Sequence, residues 1–302
     1  MSSFSYFTNG IYLDSEIPLP ELLPAMGYPR VAIKLGSVPD KLEDPVSCNP
    51  VQQVSLHQYL LQIDGVAKFF VPNKNEIIVQ PYDGADPDSI RLFLLSTLLS
   101  IVLCKHDLLT LHAASLRVEG GAVLIAGPST AGKSTLSFGL HQNGYELLND
   151  DLSTISFDEG GRPLVYPGIA RMKLAEYSLE SYGFRVADFR RISKDVEKYN
   201  FPIQRLPETR PVPIKAVIFI SFHTHHSIEK KGVDGLELFS YLKENTFRYE
   251  LVKELRKTKV HFGHLSALME KVPFVKVARP ETVEPKDFAH FINEQVLPQY
   301  AC

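Results

Sequence analysis

Cysteine is scarce in this chain of 302 residues: there are three, Cys48, Cys104 and Cys302, an odd number set far apart. That spacing makes neither a disulfide framework nor a zinc knuckle, and reduced thiols in a cytoplasm are the expectation. Charge of one sign is also lacking. A formal net charge of -3 gives no basic field for a nucleic-acid backbone, which sets nucleic acid aside as a partner. Residues 1–10 are polar and aromatic, so no basic segment followed by an apolar one signals secretion. The longest apolar stretch, Ile90 to Cys104, is interrupted by Arg91, Ser96, Thr97 and Ser100 and reads as too short to span a bilayer. A buried helix and no membrane partner are expected from it. Repeats and low-complexity tracts are missing too. What is present is an ordinary globular composition, 44% apolar and 22% charged, in a chain long enough for one large domain or two modest ones.

Two grammars divide the chain. Residues 1–85 carry short strand candidates punctuated by proline and glycine: Tyr12-Leu13, Arg30 to Lys34, Gln58 to Ile63, Ala67 to Val71 and Glu76 to Val79. Turn signals at Asp64-Gly65 and Pro72 to Asn75 favour a meander or a partly open barrel. Asp86-Pro87 then offers a helix cap and a first-turn proline, so residues 86–106 read as a connecting helix. From 107 to 302 the pattern is α/β: strand Leu109 to Val118, strand Ala122 to Ala126, a helix from Ser134 to Asn143, strand Tyr145 to Leu148, and central strands at Ile214 to Ser221 and Phe274 to Ala278. Leu236 to Lys257, Phe262 to Lys271 and Pro285 to Val296 have helical spacing and are expected to cover the sheet. Residues 185–213, rich in Arg, Lys and Pro, read as a long exposed loop that either holds substrate or merely connects.

Chemistry concentrates at Gly127-Pro128-Ser129-Thr130-Ala131-Gly132-Lys133-Ser134, which matches the Walker A pattern GxxxxGK[ST] between a strand and a helix. Glycines at 127 and 132 let successive backbone N–H groups converge on phosphate oxygens at the positive end of the helix. Lys133 can reach the β and γ phosphates, and the Ser134 hydroxyl can ligate Mg²⁺. Asp150 and Asp151 follow the next strand, whose carboxyl end in a parallel sheet lies beside the loop. One carboxylate can hold magnesium, and its neighbour can accept a proton from an incoming hydroxyl. His112, in a β-like run, is out of place unless it faces a site or finds a buried partner, and both readings stand. His223-Thr224-His225-His226 has no cysteine or acidic partner at ligand spacing, so an exposed loop is expected there and no metal centre.

The run from Leu111-His112 through the loop to Asn143-Gly144-Tyr145-Glu146-Leu147-Leu148-Asn149-Asp150-Asp151 resembles the catalytic core of HPr kinase/phosphorylase. The resemblance implies an α/β fold with an HPr kinase/PEP carboxykinase-like P-loop core behind a small β-rich N-terminal unit. It implies ATP and Mg²⁺ as cofactors and His112 as an active-site residue. Residues 127–135, Thr135 included, would then hold the nucleotide, with Lys133 on its phosphates, Ser134 with Asp150 on the metal and Asp151 as proton acceptor. The segment Tyr12 to Leu22 is similar to the opening of HPr-kinase-like proteins that act in ribosomal peptide maturation, the lasso-peptide kinases among them. That likeness points to a serine at the carboxyl end of a precursor peptide as acceptor.

Departures are specific. Thr130-Ala131 stands where the HPr kinases favour a second glycine, and Thr135 replaces their glutamate. Val165 to Lys173, which corresponds to the family's glutamate-bearing signature, has no glutamate. These argue against carrying over the reverse phosphorylase activity and HPr as acceptor. Arg171, in that stretch, binds either a phosphate or acidic substrate group or a surface carboxylate. The expectation is a serine kinase acting on a peptide or protein, with a homo-oligomer left open; a nucleotide-sensing module without transfer and a small-molecule or carboxykinase-like enzyme are the alternatives.

Overall fold

In the computed structural model, residues 3–28, 30–194, 196–204 and 208–300 are described. The amino-terminal part forms one open sheet of eight strands: β1 (Phe4–Thr8), β2 (Ile11–Ser15), β3 (Val31–Leu35), β4 (Ser47–Cys48), β5 (Gln52–Val54), β6 (Tyr59–Ile63), β7 (Ala67–Asn73) and β8 (Glu76–Pro81). Their order is β1-β2-β3-β8-β7-β6-β5-β4, antiparallel except where β3 lies parallel to β2 and β8. Alternation puts Ile11 and Leu13 of β2 and Ala67, Phe69 and Val71 of β7 on one buried face.

That face packs on the helix expected as a connector. Asp86 caps it, its carboxylate accepting the Ser89 N–H at 3.1 Å, and Pro87 occupies the first turn. α1 (Pro87–Phe93) and α2 (Leu99–Lys105) are joined without interruption by a wider π-turn at Leu94–Leu98. The whole helix, Pro87–Lys105, is 19 residues, within the 86–106 expected; by length and composition it could cross a membrane, where the apolar stretch by itself read as too short. Here its apolar residues Leu94, Leu98, Leu99, Ile101 and Val102 are buried against Leu13, Val31, Phe69 and Ile77 of the sheet.

The second part is built on a forked mixed sheet. Its strands are β9 (Leu109–Leu111), β10 (Ala113–Val118), β11 (Gly121–Ala126), β12 (Leu147–Asn149), β13 (Ser153–Phe157) and β14 (Pro163–Val165), followed later by β18 (Val212–His223), β19 (Glu229–Gly232) and β20 (Phe274–Pro280). Between them, β15 (Arg171–Leu174), β16 (Arg191–Ser193) and β17 (Val196–Pro202) make a separate small sheet. The long strand β18 is the fork: its start pairs with β14, its end with β20, and its other side with β11.

Alternation along β11 sends Val123 and Ile125 to one face, where α3 (Lys133–Gln142) and α8 (Pro285–Gln295) pack, and Ala122 and Leu124 to the other, covered by α5 (Gly235–Glu244) and α7 (Thr258–Lys271). Helices on both faces explain why β11 is buried at every residue. The remaining helices, α4 (Glu176–Ser181) and α6 (Tyr249–Glu254), are short.

Four sequence expectations are corrected. The strand expected over 109–118 breaks at His112, because β9 pairs with β13 while β10 pairs with β11 and β12. The helix expected over 236–257 breaks after Asn245, where Thr246 turns its hydroxyl back to the Leu242 carbonyl and Arg248 takes a left-handed φ of 52°. Much of 185–213, expected as loop, is strand, although residues 195 and 205–207 lie outside the described set. The sheet is mixed instead of parallel: antiparallel β10 separates β12 from β11, yet β12 still runs in the same direction as β11.

Candidate active site

Strand direction brings the chemistry to one edge. β11, β18 and β20 are parallel and β12 shares their direction, so their carboxyl ends deliver Gly127, Phe222, Arg279 and Asp150 to the same side of the sheet. β10 starts at that edge, immediately after His112.

The loop leaves β11 through Gly127, whose φ is 151°; a Cβ there would lie 2.3 Å from the Ile220 carbonyl oxygen, so only glycine lets the chain pass over β18. Gly132, at φ 91°, turns the chain into α3, and no side chain caps the helix. The first-turn N–H groups are therefore left facing the mouth of the loop, the arrangement that attracts anions. Thr130 adopts φ 70°, a strained conformation for a β-branched residue. Ala131, where the HPr kinases favour glycine, is buried in the core with Leu136 and Ile125. Lys133 is turned back into the loop and donates to the carbonyls of Gly127 at 2.8 Å and Pro128 at 3.0 Å. Burial pulls its pKa down, against the charge of Asp151.

Asp150 and Asp151 occupy different surroundings. Asp150 is buried; one oxygen accepts the Lys173 N–H at 2.8 Å, and the other has no partner. Burial and the neighbouring Asp151 charge push its pKa up to about 6, with the backbone N–H and charge of Lys173 and the Ser134 hydroxyl pulling the other way. Asp151 is more open. Its oxygens lie 3.1 Å from the Lys173 ammonium and 3.5 Å from His112 Nε2. Burial opposes its charge, but His112 and Lys173 outweigh it and hold the carboxyl well below the usual range. The pair thus has one assured carboxylate and one that takes up a proton near neutrality.

Ser129, Thr130, Gly132 to Thr135, His112 and Asp151 line one cleft of about 390 Å³, with Lys173, Tyr177, Ser178 and Lys198 across it. The Thr135 hydroxyl bonds Ser178 at 2.7 Å. The unpartnered Asp150 oxygen and the Ser134 hydroxyl are hard oxygen donors of the kind Mg²⁺ takes, so the residues present fit that ion. The structure brings His112, Asp151 and loop residues 129, 130 and 132–135 to this cleft; Gly127 and Pro128 line a neighbouring one with His112 and Ser129, Ala131 lies in the core, and Asp150 sits behind in a smaller pocket with Asp151 and Lys173. Arg171 does not line the cleft. It is buried, its guanidinium 3.2 Å from both Glu21 and Asn200, and it shares with Asp150, Asp151 and Lys173 the lining of a pocket of about 40 Å³. The carboxylate it pairs with, Glu21, is buried as well, so the ion pair is an interior one and not the surface contact the sequence offered.

Sequence reasoning missed three contributors. Lys173 touches both carboxylates, one through its backbone and one through its side chain. Asn245 accepts the Gly127 N–H with its side chain and the His112 N–H with its main-chain carbonyl. Asn9, from the β1–β2 turn, donates to the Leu152 carbonyl at 2.8 Å and to Thr154 at 3.1 Å, next to Asp151. A signal existed for Asn245, since Asn-Thr interrupts good helix formers there; nothing local marked the other two. The His223 cluster also needs correction. Glu229 of β19 supplies the acidic partner the sequence had not placed, its oxygen 2.5 Å from His225 Nδ1, with ligand atoms of His223, His225 and Glu229 all within 4.8 Å. His223 Nδ1 already accepts the His225 N–H, so the group bonds internally.

Fold and site together define an α/β protein with a glycine-rich strand-to-helix loop opposed by a pair of carboxylates. No protein-family model and no curated protein matches the chain. Among solved structures it is similar to the Hpr(Ser) kinase/phosphatase from Coxiella burnetii, at 13% identity and a TM-score of 0.33, over 63% of this chain and 97% of that one.

Proposed function

We propose that the protein is an ATP- and Mg²⁺-dependent kinase that transfers the γ-phosphate to a serine hydroxyl of a peptide or protein. One observation carries the reading: the loop with its uncapped helix start, Lys133, and the His112-Asp151-Lys173 cluster all face a single cleft. In the loop, backbone N–H groups hold the phosphates, and Lys133 exchanges its two carbonyl partners for phosphate oxygens. Ser134 and Asp150 hold magnesium, which when bound offsets charge on the phosphates. The acceptor oxygen forms a bond to the γ-phosphorus as the bond to the β-bridging oxygen breaks, ADP leaves, and the hydroxyl proton passes to Asp151. A weak base suffices, because in a loose transition state the hydroxyl gives up its proton late. Lys173 keeps Asp151 charged and aimed at the cleft, and His112 orients its other oxygen.

The acceptor class we favour is a serine at the carboxyl end of a precursor peptide, on the likeness of Tyr12 to Leu22. Incubation with labelled ATP and serine-terminated peptides tests the proposal. Asp151→Asn should lower transfer by about 10² to 10⁴ while leaving nucleotide binding in place. Unimpaired transfer by that variant overturns the base assignment, and tight nucleotide binding with no phosphorylated product across varied peptides favours a sensing module.

A further inference from the structure

Arg279, at the carboxyl end of β20, is buried to 8% exposure, and among the described residues no carboxylate lies within 4.0 Å of it. Glu284 acts on it only from beyond ion-pair distance, and a desolvated cation without a direct ion pair is costly to keep, so its surroundings matter. Its carbon Cζ lies 4.5 Å from the Phe222 ring and 4.9 Å from the Phe288 ring, which fix the plane of the guanidinium. Nη1 is used on the Val283 carbonyl. Nε has no partner, and Nη2 lies 3.4 Å from where a Cβ of Gly132 would sit. The Nε–Nη2 side, the one suited to bidentate anion binding, is therefore unspent and stands against the last glycine of the loop.

Topology says which anion. Asp150 and Asp151 lie on the β12 side of β11, while β18 and β20, carrying Phe222 and Arg279, lie on the opposite side. A phosphate chain whose reacting end faces Asp151 extends across the loop toward Arg279.

We infer that Arg279 binds the phosphate next to the nucleoside, the first of the two that stay with the donor, and so selects a nucleoside polyphosphate over a bare phosphate chain. This rests on the reading of the loop as a nucleotide site. Lysine would keep the charge but lose the two-pronged geometry.

Calorimetric titration with Mg²⁺-ADP and with Mg²⁺-pyrophosphate, on wild type, Arg279→Met, Arg279→Gln and Arg279→Lys, separates the possibilities. Loss of the contact should weaken ADP binding roughly 10- to 100-fold in the Met and Gln variants, and less in Lys, with pyrophosphate within about twofold of wild type. Melting temperatures identify any variant that fails to fold, and the Gln variant carries the test if the Met variant melts early. Unchanged ADP affinity in a folded variant overturns the inference while leaving the kinase reading intact. Equal weakening of both ligands also overturns it, since Arg279 would then only shape the loop. Wild-type protein that binds neither ligand overturns the nucleotide reading, and this inference with it.

Discussion

The side-chain oxygen of Asn245 accepts the N–H of Gly127 at 2.8 Å, and the main-chain carbonyl of the same residue accepts the N–H of His112 at 2.7 Å. One residue at a helix end thus fixes both the start of the loop and the histidine beside Asp151. Asn245 is 7% exposed, so neither bond is easily replaced by water. Asn245→Ala should destabilise the protein by about 1–3 kcal/mol, because the Gly127 N–H is left buried without a partner. Urea denaturation measures that loss, and ADP titration should show weakened binding from a loosened loop.

Lys173→Met separates its two contacts. The backbone N–H still serves Asp150, but Asp151 loses the ammonium 3.1 Å away. Removing that charge raises the Asp151 pKa, since Lys173 is one of the groups holding it down. The acidic limb of the transfer rate should move to higher pH, with a lower plateau. A pH–rate profile identical to wild type would count against the role given to Lys173.

Asp150 has the opposite sign. Its folded pKa, about 6, is raised above its unfolded value, so its contribution to stability is fully present below the unfolded pKa and falls as pH rises through about 6. Asp150→Asn keeps an acceptor for the Lys173 N–H and removes the buried charge. At pH 8 without magnesium the variant should be more stable than wild type by on the order of 1–3 kcal/mol, and the difference should shrink toward pH 4. Added Mg²⁺ should raise the melting temperature of wild type and not of the variant.

Thr130 takes φ 70°, which glycine adopts without strain. Relief of about 1–2 kcal/mol is offset by glycine's larger unfolded-state entropy, about 0.5–1 kcal/mol. Thr130→Gly should therefore raise stability by up to about 1 kcal/mol, readable as a small shift in the denaturation midpoint. Thr130→Val, which keeps the branched carbon, should give no such gain.

Local pattern made the centre of this protein legible. The apolar run before Gly127, the glycines, and the glycine-terminated helix after Lys133 are all nearest-neighbour signals, as is Asp-Asp at a strand end. Their convergence followed from strand direction alone. What local pattern could not supply was partnership across the fold. Nothing in the segment Val165 to Lys173 marks Lys173, whose value comes from β15 bringing its N–H to Asp150 and its ammonium to Asp151, a tertiary fact. Leu109 to Val118 has unbroken β character, and only the pairing of its halves with different strands breaks it at His112. β16 has only three residues and β17, though seven long, is charged and mostly half exposed, so their alternation is too weak to read. Arg171 looked available because nothing nearby in sequence announces Glu21, 150 residues away.

Asn9, in the β1–β2 turn, and Glu21, between β2 and β3, belong to the amino-terminal unit, yet one anchors the strand that follows Asp151 and the other pairs with Arg171 beside the carboxylates. The floor of the candidate site is therefore jointly owned. Transplanting the carboxyl-terminal half alone would leave Arg171 without its carboxylate and the strand after Asp151 untethered, and a foreign unit grafted in its place would have to bring its own asparagine and glutamate to the same positions. A substitution at Asn9 or Glu21 is therefore felt at the carboxylate pair from the other unit.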